Sequence, residues 1–160
     1  MKKCVFAGTF DPITNGHVFV IDKCLTLFDE VVIAVGVNVD KSPIFTLEQR
    51  VQMIKAVYDG NSKISVKTFD GMLTDFMKEN QILVTVRGIR DQDDYKYETT
   101  MSRYNQDMYP EITTLFIPTP TSLAYVSSSA VRNIINLESD FSKYVPQPVY
   151  QLAQNIIKEK

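Results

Sequence analysis

The stretch CVFAGTFDPITNGHVFVIDKCLTLF, Cys4 to Phe28, decides how this chain is read. Its first four residues are apolar and suit a strand. Its tail places Val18, Ile21, Leu25 and Phe28 at three- and four-residue spacings, the period of an amphipathic helix beginning at His17. Between them lies GTFDPITNGH, with two glycines, one proline and the only histidine in 160 residues. Gly8 permits a tight turn or a close backbone approach, and Pro12 stiffens the loop. Gly16 and His17 sit where the helix starts. A helix N-terminus offers free N–H groups and the positive end of its dipole, so it favours a phosphate, and a histidine in that turn faces the same anion. The bland alternative is a structural strand-to-helix turn with a solvated imidazole. No Gly-Lys-Ser/Thr follows, and there is no G-x-G-x-x-G, so two common phosphate loops are excluded.

The same alternation continues outward. VVIAVGV, Val31 to Val37, is a β-branched run suited to a strand buried on both faces. TLEQRVQMIKAVY opens with a capping-box pattern, Thr46 with Gln49, and reads as a second helix. KISVKTF is a third strand, and Leu73 to Asn80 a short third helix. ILVTVR is a fourth strand, followed by a polar helix from about Asp91 to Asn105. ITTLFIP is a fifth strand, ended by Pro118. Ser127 to Ser129 cap a fifth helix, AVRNIINL, and PVYQLAQNIIKEK is a sixth with Pro148 in its first turn. Five strand–helix repeats predict an α/β fold with a parallel sheet and right-handed crossovers. Ligands of such sheets bind at the carboxyl ends of the strands, near a topological switch point.

Composition sets the outer limits. The chain is 44% apolar and 22% charged with a net charge of −2, ordinary for one soluble domain. No global field draws nucleic acid or anionic lipid, so neither is expected as a partner, and any anion site must be built locally. Nothing approaches the roughly 18 apolar residues of a membrane span, and no leader is expected before the first strand. Cys4 and Cys24 form no C-x-x-C pair and read as free buried thiols, which fits a reducing cytoplasm.

Local cations then appear in the loops after the strands. Lys41 lies in NVDKSPIF, where a lysine alone is ordinary surface. RGIRDQDDYKYE is sharper: Arg87 closes the fourth strand, Gly88 lets the backbone turn, and Arg90 follows. Two forked guanidiniums suit phosphate oxygens; alternatively they pair with Asp91, Asp93, Asp94 or Glu98. SSSAVR offers hydroxyls and N–H groups at a helix start, with Arg132 one turn in. Together these loops place His17, Lys41, Arg87 with Arg90, and the serines on one predicted edge, as a polyphosphate site requires.

These residues carry a resemblance. GTFDPITNGH resembles the T-x-G-H form of the H-x-G-H signature of nucleotidyltransferases, and SSSAVR their second signature. With RGIRDQDDYKYE, nearly the whole chain is similar to the phosphopantetheine adenylyltransferase family. Ala7 stands where that family usually has proline, and Val126 where it usually has isoleucine. Leu123 to Tyr125 lacks a tryptophan found in some members. The resemblance implies a Rossmann-like, doubly wound parallel sheet of five strands with flanking helices, residues 1–160 forming one domain. It implies ATP and 4′-phosphopantetheine as substrates, a magnesium ion and a homohexamer; the sequence shows no carboxylate cluster that forms an all-protein cage, so the magnesium is expected to arrive with ATP and no resident metal is expected. Thr9 is then expected to touch both substrates, and Phe10 and His17 to contact ATP. Gly88, Ile89, Arg90, Glu98 and the stretch Leu123, Ala124, Tyr125, Val126, Ser127, Ser128 and Ser129 complete the nucleotide site. Lys41, Leu73, Arg87 and Asn105 are expected to hold phosphopantetheine. His17, Lys41 and Arg90 carry the catalytic expectation.

The chemistry is consistent with a single histidine. A phosphate nucleophile has a second pKa of about 6 and needs no general base at neutral pH. Other readings remain: transfer to nicotinamide mononucleotide or a phospho-alcohol, or a nucleotide sensor that binds ATP without turnover.

Overall fold

A computed structural model describes residues 1–37 and 43–159. The elements alternate as β1 (Lys3–Gly8), α1 (Asn15–Leu27), β2 (Glu30–Gly36), α2 (Leu47–Val57), β3 (Ile64–Phe69), α3 (Leu73–Glu79), β4 (Val84–Ile89), α4 (Gln92–Met108), β5 (Thr113–Pro118), α5 (Ser128–Asn136) and α6 (Gln147–Lys158). A short 3₁₀ turn at Ser142–Tyr144, absent from the sequence reading, precedes α6.

The sheet order is β3-β2-β1-β4-β5 and every pairing is parallel. Alternation along the strands explains the layering. Cys4 and Phe6 of β1, with Val31, Ile33 and Val35 of β2, face a core closed by α1, α2, α5 and α6. Val5, Ala7, Val32 and Ala34 face the other side, against Phe76 and Met77 of α3. Both faces are dry, so the β-branched run of β2 has no polar alternation to show. Both cysteines are free and buried, as expected.

The chain winds outward to β3 and then crosses to β4 on the far side of β1. That is the topological switch point, and the strands separate there. The β1–β2 register runs from Lys3↔Glu30 to Gly8↔Val35, whereas β1–β4 covers Val5↔Thr85 and Phe6↔Val86 alone. Beyond Phe6 a cleft opens between the carboxyl ends of β1 and β4.

Two expectations need correction here. Arg87 does not close β4, and Gly88 does not turn the backbone: both stay in the strand, Arg87↔Phe116 and Gly88↔Ile117. Glycine is required for another reason. A Cβ at position 88 would lie 2.9 Å from Cγ2 of Val20, which is buried under the sheet on α1. We expect Gly88→Ala to destabilise the fold by about 1–3 kcal/mol through overpacking. Urea unfolding checks this; an unchanged midpoint would show that α1 yields freely.

Candidate active site

The site begins with how α1 starts. Thr14 is its N-cap, and His17 is the third helical residue. The Thr14 hydroxyl accepts from the His17 N–H, and His17 Nδ1 accepts from the Thr14 N–H at 3.0 Å. This is a capping box in which imidazole replaces the usual Glu or Gln. The T-x-x-H spacing carried that signal, and the sequence reading placed the helix start two residues late.

The bond has an electronic consequence. Because Nδ1 accepts from a backbone N–H, the neutral ring carries its proton on Nε2. Burial, reinforced by the charges of Arg87 and Arg90, lowers the His17 pKa to about 4. His17 is therefore a neutral N–H donor at pH 7, not a cation and not a base. Its ring packs edge-on against Phe10, with centroids 5.0 Å apart. Phe10 itself holds a left-handed backbone, φ 50°, and is almost fully buried. That is a strained conformation for a bulky residue, of order 1–3 kcal/mol, and such strain clusters at functional sites. A Cβ at Gly8 would come within 3.2 Å of the Phe10 ring, so the glycine serves close approach rather than a turn.

The single histidine makes the tautomer directly measurable. Nitrogen-15 shifts of the imidazole should report Nε2–H, titrating near pH 4. The folded pKa lies below the unfolded value of 6.5, so the folded state binds fewer protons between these values. Stability should therefore fall as pH drops from about 6.5 towards 4 and be insensitive to this group above 6.5. An imidazolium signal at pH 6 in the folded protein would contradict the assignment.

Across the cleft stands Arg87. Its Nη1 donates to the Ala7 carbonyl at 2.6 Å, one residue beyond the last β1–β4 ladder pair. Nε and Nη2 form a fork onto Glu98 at 2.9 and 2.8 Å. Arg90 makes a similar fork onto Asp94, at 2.8 and 3.1 Å, which holds the Asp94 carboxyl below its usual pKa. Of the two readings of these arginines, the structure shows the carboxylate pairing, and both paired guanidiniums line the cleft. Glu98 is a partner of Arg87 rather than a free acceptor.

The three serines have separate tasks. Ser127 caps α5 by accepting from Ala130 N–H at 3.1 Å. Ser128 Oγ donates to the Pro12 carbonyl at 2.8 Å, tying α5 to the opening loop. Ser129 Oγ accepts from Arg132 Nη2 at 3.0 Å, while Arg132 Nη1 donates to the Asp11 carbonyl at 3.0 Å.

These groups line a cavity of about 600 Å³. Of the expected nucleotide residues, it gathers Thr9, Phe10, His17, Gly88, Arg90, Glu98, Val126, Ser127, Ser128 and Ser129. Ile89, Leu123, Ala124 and Tyr125 are not on its wall. Tyr125 is largely exposed and meets Tyr144 edge-on. A second, shallower concavity is lined by Gly36, Val37, Phe69, Gly71 and Leu73. The two share Ala7, Gly8, Thr9 and Arg87. Asn105 lies on neither wall; it sits well along α4, where its carbonyl accepts from the Tyr109 N–H. Lys41 falls outside the described residues.

Three charged wall residues, Asp11, Arg50 and Asp94, have no site role in the reading of the sequence. Arg50 had a signal: a charged residue inside the apolar stripe Leu47, Ile54 and Val57 of α2.

Comparison with known proteins places this geometry in context. Residues 5–134 match the cytidylyltransferase-like family. A phosphopantetheine adenylyltransferase from Chromobacterium violaceum is 41% identical over 164 positions that span all of both chains. One from Shouchella clausii is 35% identical over 99% of each chain. Among solved structures, a chain described as a nicotinate-nucleotide adenylyltransferase from Vibrio parahaemolyticus aligns over 100% of this chain and 98% of its own, with a TM-score of 0.75. At 20% identity that likeness shows a common fold.

Proposed function

Because this chain belongs to the phosphopantetheine adenylyltransferase family of cytidylyltransferase-like proteins, we propose that it transfers the adenylyl group of ATP to 4′-phosphopantetheine. The products are dephospho-coenzyme A and pyrophosphate, a step of coenzyme A biosynthesis. The observation that supports this most is the meeting of two concavities at Gly8, Thr9 and Arg87. One is lined by helix starts and arginines, as a nucleotide polyphosphate requires. The other is shallower and partly apolar, with Phe69 and Leu73, as an arm carrying a phosphate requires.

The residues then have these roles. A phosphate oxygen of the acceptor attacks the α-phosphorus in line, and pyrophosphate leaves. The acceptor phosphate is largely ionised at neutral pH, so no group need remove a proton. His17 Nε2–H donates to the α-phosphate as negative charge builds on it. Arg87, fixed by Glu98 and Ala7, orients the acceptor phosphate, and Lys41 shares that task by family resemblance. Arg90 and the Ser127–Ser129 turn hold the β- and γ-phosphates. Catalysis of this type is mostly positioning and electrostatic stabilisation.

Magnesium enters with the nucleotide. Among the described residues no three His, Cys, Asp or Glu side chains form a metal cage. The wall carboxylates Asp11, Asp94 and Glu98 already accept from N–H donors. Phosphate oxygens and water would supply the ligands of such an ion.

Helix α4 supports a homohexamer as the working form. It has no buried residue along 17 positions, and Tyr95, Tyr97 and Tyr104 are all more than half exposed. Tyr97 and Tyr104, seven positions apart, share one face of the helix, which suits contact with another subunit, and the number six is what the family resemblance implies. Among the described residues no helix is long and apolar enough to cross a membrane, and a cytoplasmic location follows from the substrates.

The test is product identity. Incubation with MgATP and 4′-phosphopantetheine should yield a species of the mass of dephospho-coenzyme A, with pyrophosphate in equal amount. Nucleotide binding without that product would move the sensor reading forward.

A further inference from the structure

Arg50 has the environment of a core residue and the chemistry of a surface one. It sits in the apolar stripe of α2 and is 3% exposed. Its Nη1 donates to two carbonyls at once, Thr9 at 2.7 Å and Gly36 at 3.2 Å. Its Nε is buried with no partner among the described residues. No carboxylate oxygen of the described residues lies within 4 Å of it. A buried guanidinium in that state adds little stability, and a hydrophobic residue of similar volume is often as good or better for the fold. Its place on the cavity wall points to a task at the site.

The two carbonyls define what it does. The β1–β2 ladder ends at Gly8↔Val35. Thr9 and Gly36 are the next residues on each strand, and Arg50 joins them where the ladder stops. Two residues on, Asp11 is buried, and its carboxylate accepts from Ile44 N–H and Phe45 N–H at 3.0 Å each. These N–H groups lie just before Thr46, the N-cap of α2. Residues 9–11 are thus pinned at two points on the β2 side, one on the end of β2 and one at the approach to α2, besides the Arg132 bond from α5 to the Asp11 carbonyl. Arg87 pins the opposite side of β1 through Ala7. The chain between the two pins on the β2 side carries Lys41.

We propose that Arg50 is a positioning residue for adenylyl transfer: by holding the Thr9 and Gly36 carbonyls together, it sets the spacing between the nucleotide loop and the acceptor side of the cleft. It touches neither reacting atom and acts through Thr9. The inference rests on the adenylyl-transfer reading above.

The experiment compares Arg50→Lys and Arg50→Met with the wild-type protein in MgATP and 4′-phosphopantetheine, with thermal melting to confirm folding. Lysine keeps the charge but replaces the guanidinium's rigid fork with a single ammonium on a flexible stem. A misplaced reactive geometry costs rate rather than affinity, so kcat of Arg50→Met should fall about 10²-fold, with both KM values within about threefold. Arg50→Lys should lose about tenfold in kcat in the same pattern, and it carries the test if the methionine variant does not fold. Folded Arg50→Lys with wild-type kcat would overturn the proposal. So would a raised KM for ATP with kcat unchanged, which would make Arg50 a direct ground-state contact. Silence of the wild-type protein with phosphopantetheine would sink the adenylyl-transfer reading itself, and this inference with it.

Discussion

Replacing His17 by alanine lowers kcat by about 10²–10³-fold while the protein stays folded. The magnitude is that of one lost transition-state donor in a preorganised site. The imidazole also caps α1, so a stability cost accompanies the loss, on the order of 1 kcal/mol for one hydrogen bond. That is small against the 5–15 kcal/mol typical of a domain, and a melting curve separates the two effects. The KM values should move little, because the bond is made as charge develops on the α-phosphate and not before. The neutral state of the ring is part of the design. A donor with a pKa near 4 cannot lose its charge near neutral pH because it has none to lose. A variant within threefold of wild type would remove His17 from the catalytic role.

Exchanging Arg87 for lysine should cost about 10²-fold in kcat/KM for phosphopantetheine, the size of loss that follows when a positioning clamp is displaced. The reason is geometric. One guanidinium joins the Ala7 carbonyl of β1 to both oxygens of Glu98 on α4. A lysine ammonium cannot reproduce that planar fork. Glu98 then loses the second of its two guanidinium donors. ATP affinity measured by calorimetry should stay within about threefold, because Arg90 and the serine turn are untouched. An effect confined to ATP affinity would refute the assignment of Arg87 to the acceptor.

Much of this was legible in the sequence, for physical reasons. The run Val31 to Val35 is fully buried on both sides of a parallel sheet, and its unbroken β-branched character said so. The Thr46–Gln49 capping box was read and is present at the start of α2. The equivalent box at Thr14 was missed because histidine is not its usual third residue. Strand order was not legible, since nothing local to β4 says that it crosses β1. For the same reason, Gly88 was read as a turn residue when its lack of a Cβ serves Val20, 68 positions away in sequence. The pairing of Arg87 with Glu98 and of Arg90 with Asp94 depends on how α4 leaves the strand, so spacing alone left four carboxylates in play. Asn105 rests on the resemblance alone, and it lines neither of the two concavities although Asp94 and Glu98 of the same helix line the larger one. Arg50 was visible as a charge in an apolar stripe, but only the fold says which carbonyls it joins.

The most direct test of the central claim is pyrophosphate release from MgATP, with 4′-phosphopantetheine or nicotinamide mononucleotide offered separately to the purified chain. Release with phosphopantetheine alone is the predicted result, because the acceptor concavity joins Arg87 to the apolar Phe69 and Leu73. Release with nicotinamide mononucleotide alone would contradict the assigned acceptor, and no release with either would contradict adenylyl transfer at this site.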